Sequence, residues 1–479
     1  MQILNYIDGV LKAPESGQYL DNINPATGDV YGKIPNSNSL DVEQAVQAAA
    51  KAFPAWRSLP AEKRFTYLLA IADQIEARAS ELAMAETQDN GKPLWLSKAV
   101  DIPRASSNFR FFATGVLHQA SESHATDQSA IHYTLRQPLG VVACISPWNL
   151  PLYLFTWKIA PALAAGNCVV AKPSEVTPAT AFLLSQICID CGLPAGVLNI
   201  IHGTGPDTGK ALVSHPKVKA ISFTGSTRAG AEIASIAAPQ FKKLSLELGG
   251  KNPNIIFADC DWEKMLQTTV QSSFSNQGQI CLCGSRILVE RSIYDRFKDA
   301  FVAKAAALQV GDPLEPGSRL GAIVSKAHYD KILACIALAK EEGGRVLTGG
   351  SALQLEGRCA KGYFIAPTVI EGLGPACKTN QEEIFGPVVT LQPFDTEAEA
   401  LALANDSNYG LSATIWTQDI TRGHRLAAQL ESGIVWVNCW LLRDLRTPFG
   451  GVKNSGVGRE GGWEAIRFFT EAKNVSIQL

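Results

Sequence analysis

The segment Phe274-Ser275-Asn276-Gln277-Gly278-Gln279-Ile280-Cys281 ends in a cysteine that follows a turn rich in glycine and amide side chains. Such a turn can keep a thiol exposed while its backbone N–H faces a bound carbonyl, and the chemistry this suggests is attack by a thiolate. Any single one of the eleven cysteines is more often a buried apolar filler, the role that suits the neighbouring Cys283. A second segment, Leu246-Glu247-Leu248-Gly249-Gly250-Lys251, sets a carboxylate between apolar residues at the end of an expected strand. Burial there raises a carboxyl pKa and suits Glu247 to take a proton from a thiol or a water; the alternative is a salt bridge to Lys251. A third, Pro147-Trp148-Asn149-Leu150-Pro151, offers an Asn amide where a strand should end. Asn149 either donates to a developing oxyanion or simply turns the chain between two prolines.

Two further segments suit a nucleotide. In Phe223-Thr224-Gly225-Ser226-Thr227-Arg228-Ala229-Gly230, glycines open a helix after a strand, where a backbone can approach phosphate and the helix N-terminus favours an anion. The spacing is not that of the usual dinucleotide fingerprint. Lys172-Pro173-Ser174-Glu175 follows another expected strand, and Lys172 and Glu175 can both hydrogen-bond ribose hydroxyls. The acidic Glu175 would repel a 2′-phosphate, which favours NAD over NADP. Metal chemistry is not expected: the seven histidines do not cluster, and Cys188-x-x-Cys191 has no second pair at zinc spacing.

The elements that must position these residues are legible in part. At 479 residues the chain is long enough for about three domains of about 150 residues each. Lys and Arg total 43 against 45 Asp and Glu, so no field attracts nucleic acid or an anionic membrane. Eleven scattered cysteines, an odd number, argue against a secreted disulfide framework. The first nineteen residues hold no apolar core of signal-peptide length, and a cytoplasmic protein is expected. Residues 150–171 are mostly apolar but carry Lys158 and are interrupted by Pro161 and Gly166; a buried helix and strand are expected there, not a membrane span.

Helices are expected over 41–54, over 93–115, and from Ser58-Leu59-Pro60 onward, where Phe65, Leu68, Leu69, Ala72, Ile75 and Leu82 share one face. From residue 138, short apolar runs alternate with helical segments at about 25 residues per unit, the rhythm of a helix-covered parallel sheet. A second α/β alternation begins near Asn254, with helices expected around 261–275, 293–307, 326–342 and 396–406. The weakly alternating stretches 116–137 and 466–479 suit an edge ribbon for pairing between subunits. The expected division is a nucleotide-binding domain over 1–115 and 138–247, a catalytic domain over 248–465, and the ribbon.

Together these segments resemble the aldehyde dehydrogenase superfamily, from Asn24-Pro25-Ala26-Thr27-Gly28 through Glu382-Glu383-Ile384-Phe385-Gly386-Pro387 to Pro448-Phe449-Gly450-Gly451. The resemblance implies an α/β fold with a Rossmann-like NAD-binding domain, a second α/β catalytic domain and a small β oligomerisation ribbon, in a homodimer or homotetramer. It implies that Cys281 forms a thiohemiacetal with an aldehyde, that Asn149 and the Cys281 N–H form the oxyanion hole, and that Glu247 activates the water that hydrolyses the thioester. Lys172 and Glu175 match adenine-ribose contacts, Gly225 and Ser226 the pyrophosphate turn, and Glu383 and Phe385 the nicotinamide-ribose side. Trp148 matches a cofactor-pocket residue, and Lys158 with Glu460 a buried proton path. Branches that release the acyl group to coenzyme A typically lack the hydrolytic base, so Glu247 favours water as acceptor.

Substrate choice turns on Leu441-Leu442-Arg443-Asp444-Leu445-Arg446, where relatives acting on apolar aldehydes carry an aromatic residue, and on Asp101-Ile102-Pro103-Arg104 opposite. Arg104 and Arg443 converging on an apolar tunnel suit a carboxylate, which Arg binds bidentately. In the alternative, Asp444 or Asp101 neutralises them. The phrase from Trp440 to Gly451, with Cys281-Leu282-Cys283, is most similar to the branch acting on 2-aminomuconic and 2-hydroxymuconic semialdehydes. The competing expectations are a dehydrogenase of retinal-like or other apolar aldehydes, and a non-catalytic structural member such as some lens crystallins.

Overall fold

The computed structural model describes all 479 residues. Its first sheet has eight strands in the order Val10–Lys12, Asn5–Ile7, Leu198–Ile200, Cys168–Lys172, Val141–Ile145, Val218–Thr224, Lys243–Glu247 and Gly456–Val457. The five from Leu198–Ile200 to Lys243–Glu247 are parallel. Their continuous apolar runs suit strands buried on both faces, and Val141–Ile145 and Cys168–Lys172 are buried throughout. The helices Ser39–Ser58 and Pro151–Ala164 pack on these strands, and Ala61–Ala77 and Ile102–Leu117 pack against each other and onto Pro151–Ala164. The apolar stretch 150–171 is thus a buried helix and a buried strand, and no helix is long and apolar enough to cross a membrane.

The second sheet runs Arg345–Thr348, Thr368–Glu371, Val388–Phe394, Arg286–Glu290, Pro253–Ile256, Ser412–Trp416, Ile434–Val437, and all but its first pairing are parallel. The helices Trp262–Phe274, Tyr294–Ala306, Lys326–Glu341 and Glu397–Asn405 match the expected positions within a residue or two. A third sheet joins Thr470–Gln478 to Ala130–Pro138 over nine paired residues, with Ser123–Thr126 beyond. Near its end the chain returns to the first sheet: Gly456 pairs with Glu247, and Ala465, Ile466 and Phe469 join the core beneath the helix Pro151–Ala164.

Two expected helices are broken. The one expected to carry Phe65 through Leu82 on one face ends at Ala77, where Arg78 leaves helical geometry, and Leu82 lies on a second helix, Ala79–Asn90. Residues 93–115 fold as a single turn Leu94–Leu96, a π-helical turn Ser97–Asp101, and the helix Ile102–Leu117 with Pro103 in its first turn. Asp101, closing the π turn, is fully buried against Lys92 at 3.0 Å, and Lys92 lies 3.8 Å from Glu86. A buried ion cluster of this kind overrides the helical period, and π turns concentrate at functional sites.

Candidate active site

The turn before Cys281 carries three successive left-handed residues, Asn276 (φ 51°), Gln277 (φ 57°) and Gly278 (φ 70°). The first two are costly for side-chain-bearing residues, and their amides hold the turn in place. Asn276 Nδ2 donates to the Asn149 carbonyl at 3.0 Å, and Gln277 Nε2 to that of Ala322 at 3.0 Å. Gly278 is required, because a Cβ there would stand 2.1 Å from the Gly386 carbonyl. Asn252 Nδ2 then donates to the carbonyls of Cys281 (2.7 Å) and Cys283 (2.9 Å), fixing the loop on both sides of the nucleophile. Cys283 is buried and apolar in its contacts, as its sequence suggests.

Cys281 lies where two clefts meet, and Thr224 and Leu248 also line both. The first cleft, about 850 Å³ including its open mouth, is walled by Tyr153, Leu154, Trp440 and Phe449 and holds Glu247, Arg443 and Glu460. The second, about 710 Å³, is walled by Trp148, Gly225, Ser226, Gly249, His328 and Phe385. Burial raises the Cys281 thiol pKa above its ordinary value, and the Glu383 and Glu247 charges raise it further against a weaker pull from Arg443. At rest the thiol is therefore protonated and needs a base.

Glu247 supplies one. It ends the strand Lys243–Glu247, is 3% exposed, and neither carboxylate oxygen has a hydrogen-bond partner. Burial and then Glu460 hold its pKa well above the ordinary carboxyl value, opposed by Lys158, Arg459 and Arg443. Space beside it is kept by Gly450, where a Cβ would approach Oε1 to 2.7 Å. No ion pair joins it to Lys251, so the salt-bridge alternative is excluded; the Lys251 pKa falls to about 8 through burial. Behind it, Lys158 Nζ lies 2.6 Å from Glu460 Oε1, and Ser222 Oγ is 3.2 Å from each.

Asn149 is no simple turn residue. Its Nδ2 donates to the Gln279 carbonyl at 3.0 Å, which spends one amide hydrogen and leaves the other unpaired within the protein. Asn90 and Asn276 hold its backbone carbonyl from two sides. The backbone N–H of Cys281 also donates to nothing. Asn149 and Cys281 line the same cleft, and each keeps a donor without a protein acceptor, as stabilising an oxyanion there requires.

The second cleft lies at the carboxyl ends of the parallel strands, where such sheets bind nucleotides. Thr224 Oγ1 is buried without a partner, and a Cβ on Gly249 would come within 2.3 Å of Glu383 Oε2, so the floor is cut for close approach. Glu383 accepts from the Gly250 N–H at 2.9 Å, and burial raises its pKa to about 7. Ser226 caps the helix Thr227–Ala237, whose N-terminus opens on this cleft. Lys172 lies opposite Ile145 in register, on the same sheet edge, with Nζ 3.1 Å from Glu175. These residues fit a dinucleotide. Sequence reasoning missed His328 and Lys331, one helical turn apart on Lys326–Glu341; no signal beyond the helical period marks them. The ring of His328 packs on Trp148 (centroids 5.0 Å apart), and its Nε2–H donates to the Phe385 carbonyl at 2.7 Å. Its pKa falls to about 4 through burial, so it is neutral at pH 7.

Neither arginine is neutralised by the aspartates suggested above. Asp444 pairs with Arg446, and Asp101 with Lys92. Arg443 has no carboxylate partner: it sits over the rings of Phe449 (4.0 Å) and Trp157 (5.4 Å) and donates to Tyr153 OH at 2.8 Å. Arg104 lies over the ring of the same Tyr153 at 5.6 Å but does not line the cleft, so only Arg443 of the two expected arginines reaches it.

The protein-family model described as "Aldehyde dehydrogenase family" matches residues 12–475. The 2-aminomuconic semialdehyde dehydrogenase of Mus musculus is 50% identical over 481 residues, covering all of this chain and 98% of that one. The 2-hydroxymuconic semialdehyde dehydrogenase of Pseudomonas sp. (strain CF600) is 46% identical over the full length of both. Among solved structures, PnpE from Pseudomonas sp. WBC-3, also solved in complex with nicotinamide adenine dinucleotide, is 40% identical with a TM-score of 0.97, covering 100% of this chain and 98% of that one.

Proposed function

The chain belongs to the aldehyde dehydrogenase family, and from that premise we propose that it oxidises a muconic semialdehyde, bearing a 2-amino or 2-hydroxy group and a carboxylate opposite the aldehyde, to the corresponding acid with NAD. The observation that carries the substrate is Arg443, a guanidinium that forms no ion pair with any carboxylate, in the cleft that also holds Cys281 and Glu247. Arg443 is half-buried, and its unpaired guanidinium N–H groups suit a substrate anion. An apolar aldehyde offers none, which sets aside the retinal-like reading, and a non-catalytic role leaves the assembled thiol, base and donors without purpose.

Glu247 takes the proton of the Cys281 thiol, directly or through a water, and the thiolate adds to the aldehyde carbon. The oxygen of the resulting thiohemiacetal receives hydrogen bonds from Asn149 Nδ2 and the Cys281 N–H. Trp148, Ser226, Glu383, Phe385, Lys172 and Glu175 would hold NAD, which when bound would supply the hydride acceptor. Loss of hydride leaves a thioester on Cys281. Glu247 then removes a proton from water, the hydroxide displaces the thiolate, and the acid leaves. Glu460, Lys158 and Ser222 carry the proton away from Glu247. The sum is aldehyde, NAD⁺ and water giving acid, NADH and a proton.

Subunit pairing belongs on the exposed strand Thr470–Gln478, whose outer edge has no partner within the chain, in a homodimer or a dimer of dimers. Eleven free thiols support a reducing, cytoplasmic setting. The test is NADH formation from 2-hydroxymuconic semialdehyde and from a neutral six-carbon aldehyde. The anionic substrate should lead by at least about tenfold in kcat/KM, since a charge-assisted hydrogen bond contributes about 1.5–3 kcal/mol; equal rates would overturn the substrate assignment.

A further inference from the structure

We propose that Tyr153 is a specificity-determining residue: it orients Arg443, packs its ring against Arg104, and donates its own O–H to the substrate carboxylate. This rests on the reading above. Tyr153 is the one side chain on which both guanidiniums converge. Its oxygen accepts from Arg443 Nη1 at 2.8 Å, and its ring lies beneath Arg104 at 5.6 Å. It lines the cleft with Cys281 and Glu247 and is only 6% exposed.

The chemistry of the contact decides the direction of its proton. Arg443 carries only donors, so the phenol must accept from it, and its single hydrogen is left for another acceptor. No hydrogen bond from Tyr153 OH to any protein group exists. A carboxylate in this cleft supplies the missing acceptor. The rings of Phe449 and Trp157 attract the Arg443 guanidinium at 4.0 and 5.4 Å, but such contacts do not fix the direction of its N–H groups. The bond to the phenol sets its rotation and leaves the remaining N–H groups for the substrate.

Tyr153 is itself anchored. Its carbonyl accepts from Asn108 Nδ2 at 3.0 Å, and Asn108 stands four residues after Arg104 on the helix Ile102–Leu117. Residues four apart share a helix face. One hydrogen bond thus ties the element carrying Arg104 to the element carrying Tyr153, while Arg443 arrives from a loop 290 residues away in sequence.

The test compares wild type, Tyr153→Phe, Arg443→Ala and the double variant with 2-hydroxymuconic semialdehyde and a neutral aldehyde of equal length. Tyr153→Phe keeps the ring under Arg104 and removes only the hydroxyl. The preference for the anionic aldehyde should fall on the order of tenfold, expressed in KM and not in kcat. In the Arg443→Ala background the same substitution should cost clearly less, because the two groups act as one unit. A Tyr153→Phe enzyme that retains the wild-type preference overturns the role of Tyr153 alone. So does a loss shared equally by both aldehydes or confined to kcat, which marks a structural effect. A wild type with no preference for the anion overturns this inference together with the substrate assignment.

Discussion

At the scale of single residues, catalysis depends on a protonated thiol and a buried carboxyl that must exchange a proton. The raised pKa of Glu247 gives a sign. Below that value the carboxyl holds its proton and cannot take another, so thioester hydrolysis should accelerate as pH rises through it. Glu247→Gln should lower steady-state turnover about 10²–10⁴-fold and flatten that rise. A stopped-flow trace should then show NADH formed in a first phase slower than in wild type, because Glu247 also takes the thiol proton, followed by a still slower phase of thioester hydrolysis. A variant that turns over without that second phase and keeps the wild-type pH profile would remove Glu247 from deacylation. Asn149→Ala should cost about 10²–10³ in kcat, the usual weight of one oxyanion donor, read in the rate of the first phase. Cys281, Glu247 and Asn149 were candidates because each sits in a local phrase that allows its chemistry, and the family resemblance chose among the alternatives those phrases left open. His328, Lys331 and Tyr153 were not, because each acts only through partners brought in from distant elements.

At the scale of elements, the wall of the substrate cleft depends on the buried cluster of Lys92, Asp101 and Glu86. Glu86 also accepts from the Leu152 N–H at the start of the helix that carries Tyr153 and Lys158. Lys92→Met leaves Asp101 without its cation and should destabilise the fold by about 3–5 kcal/mol, measured by denaturant unfolding. A loss under 1 kcal/mol would show that the cluster does not hold the π turn. Burial raises the Glu86 pKa to about 8. The fold therefore favours its protonated form, and that contribution is complete below the unfolded carboxyl value and lost as pH rises through about 8. Between pH 6 and 9 the melting temperature should fall more in wild type than in Glu86→Gln. Sequence periodicity showed a helix over 93–115 because apolar spacing is what it measures. It could not show the π turn, which follows from charges that meet only in the folded chain. The same holds for the left-handed turn at Asn276 and Gln277, whose cost is met by amide hydrogen bonds to Asn149 and Ala322.

At the scale of the whole molecule, the two α/β sheets and the ribbon followed from alternation along the chain, since parallel buried strands and crossover helices write themselves as apolar runs. The return of the chain end to the first sheet did not. It is a pairing of Gly456 with Glu247 across more than two hundred residues, and the same segment brings Glu460 to Lys158 and Arg443 to Tyr153. The cleft is therefore closed by segments that sequence separates widely, and its charge is a property of the assembled molecule. Deleting residues 470–479 removes the strand on which subunits are proposed to pair. Sedimentation velocity should then give a monomer that keeps its far-UV circular dichroism, and an unchanged oligomer would move the interface elsewhere. The central claim is that a carboxylate-bearing aldehyde meets Arg443 while Cys281 attacks its other end. The most direct test is kcat/KM of wild type and Arg443→Ala for 2-hydroxymuconic semialdehyde against a neutral aldehyde of equal length. The substitution should cost the anionic substrate selectively, by about 1.5–3 kcal/mol or roughly 10–150-fold. If both proteins treat the two aldehydes alike, Arg443 is structural and the carboxylate site does not exist.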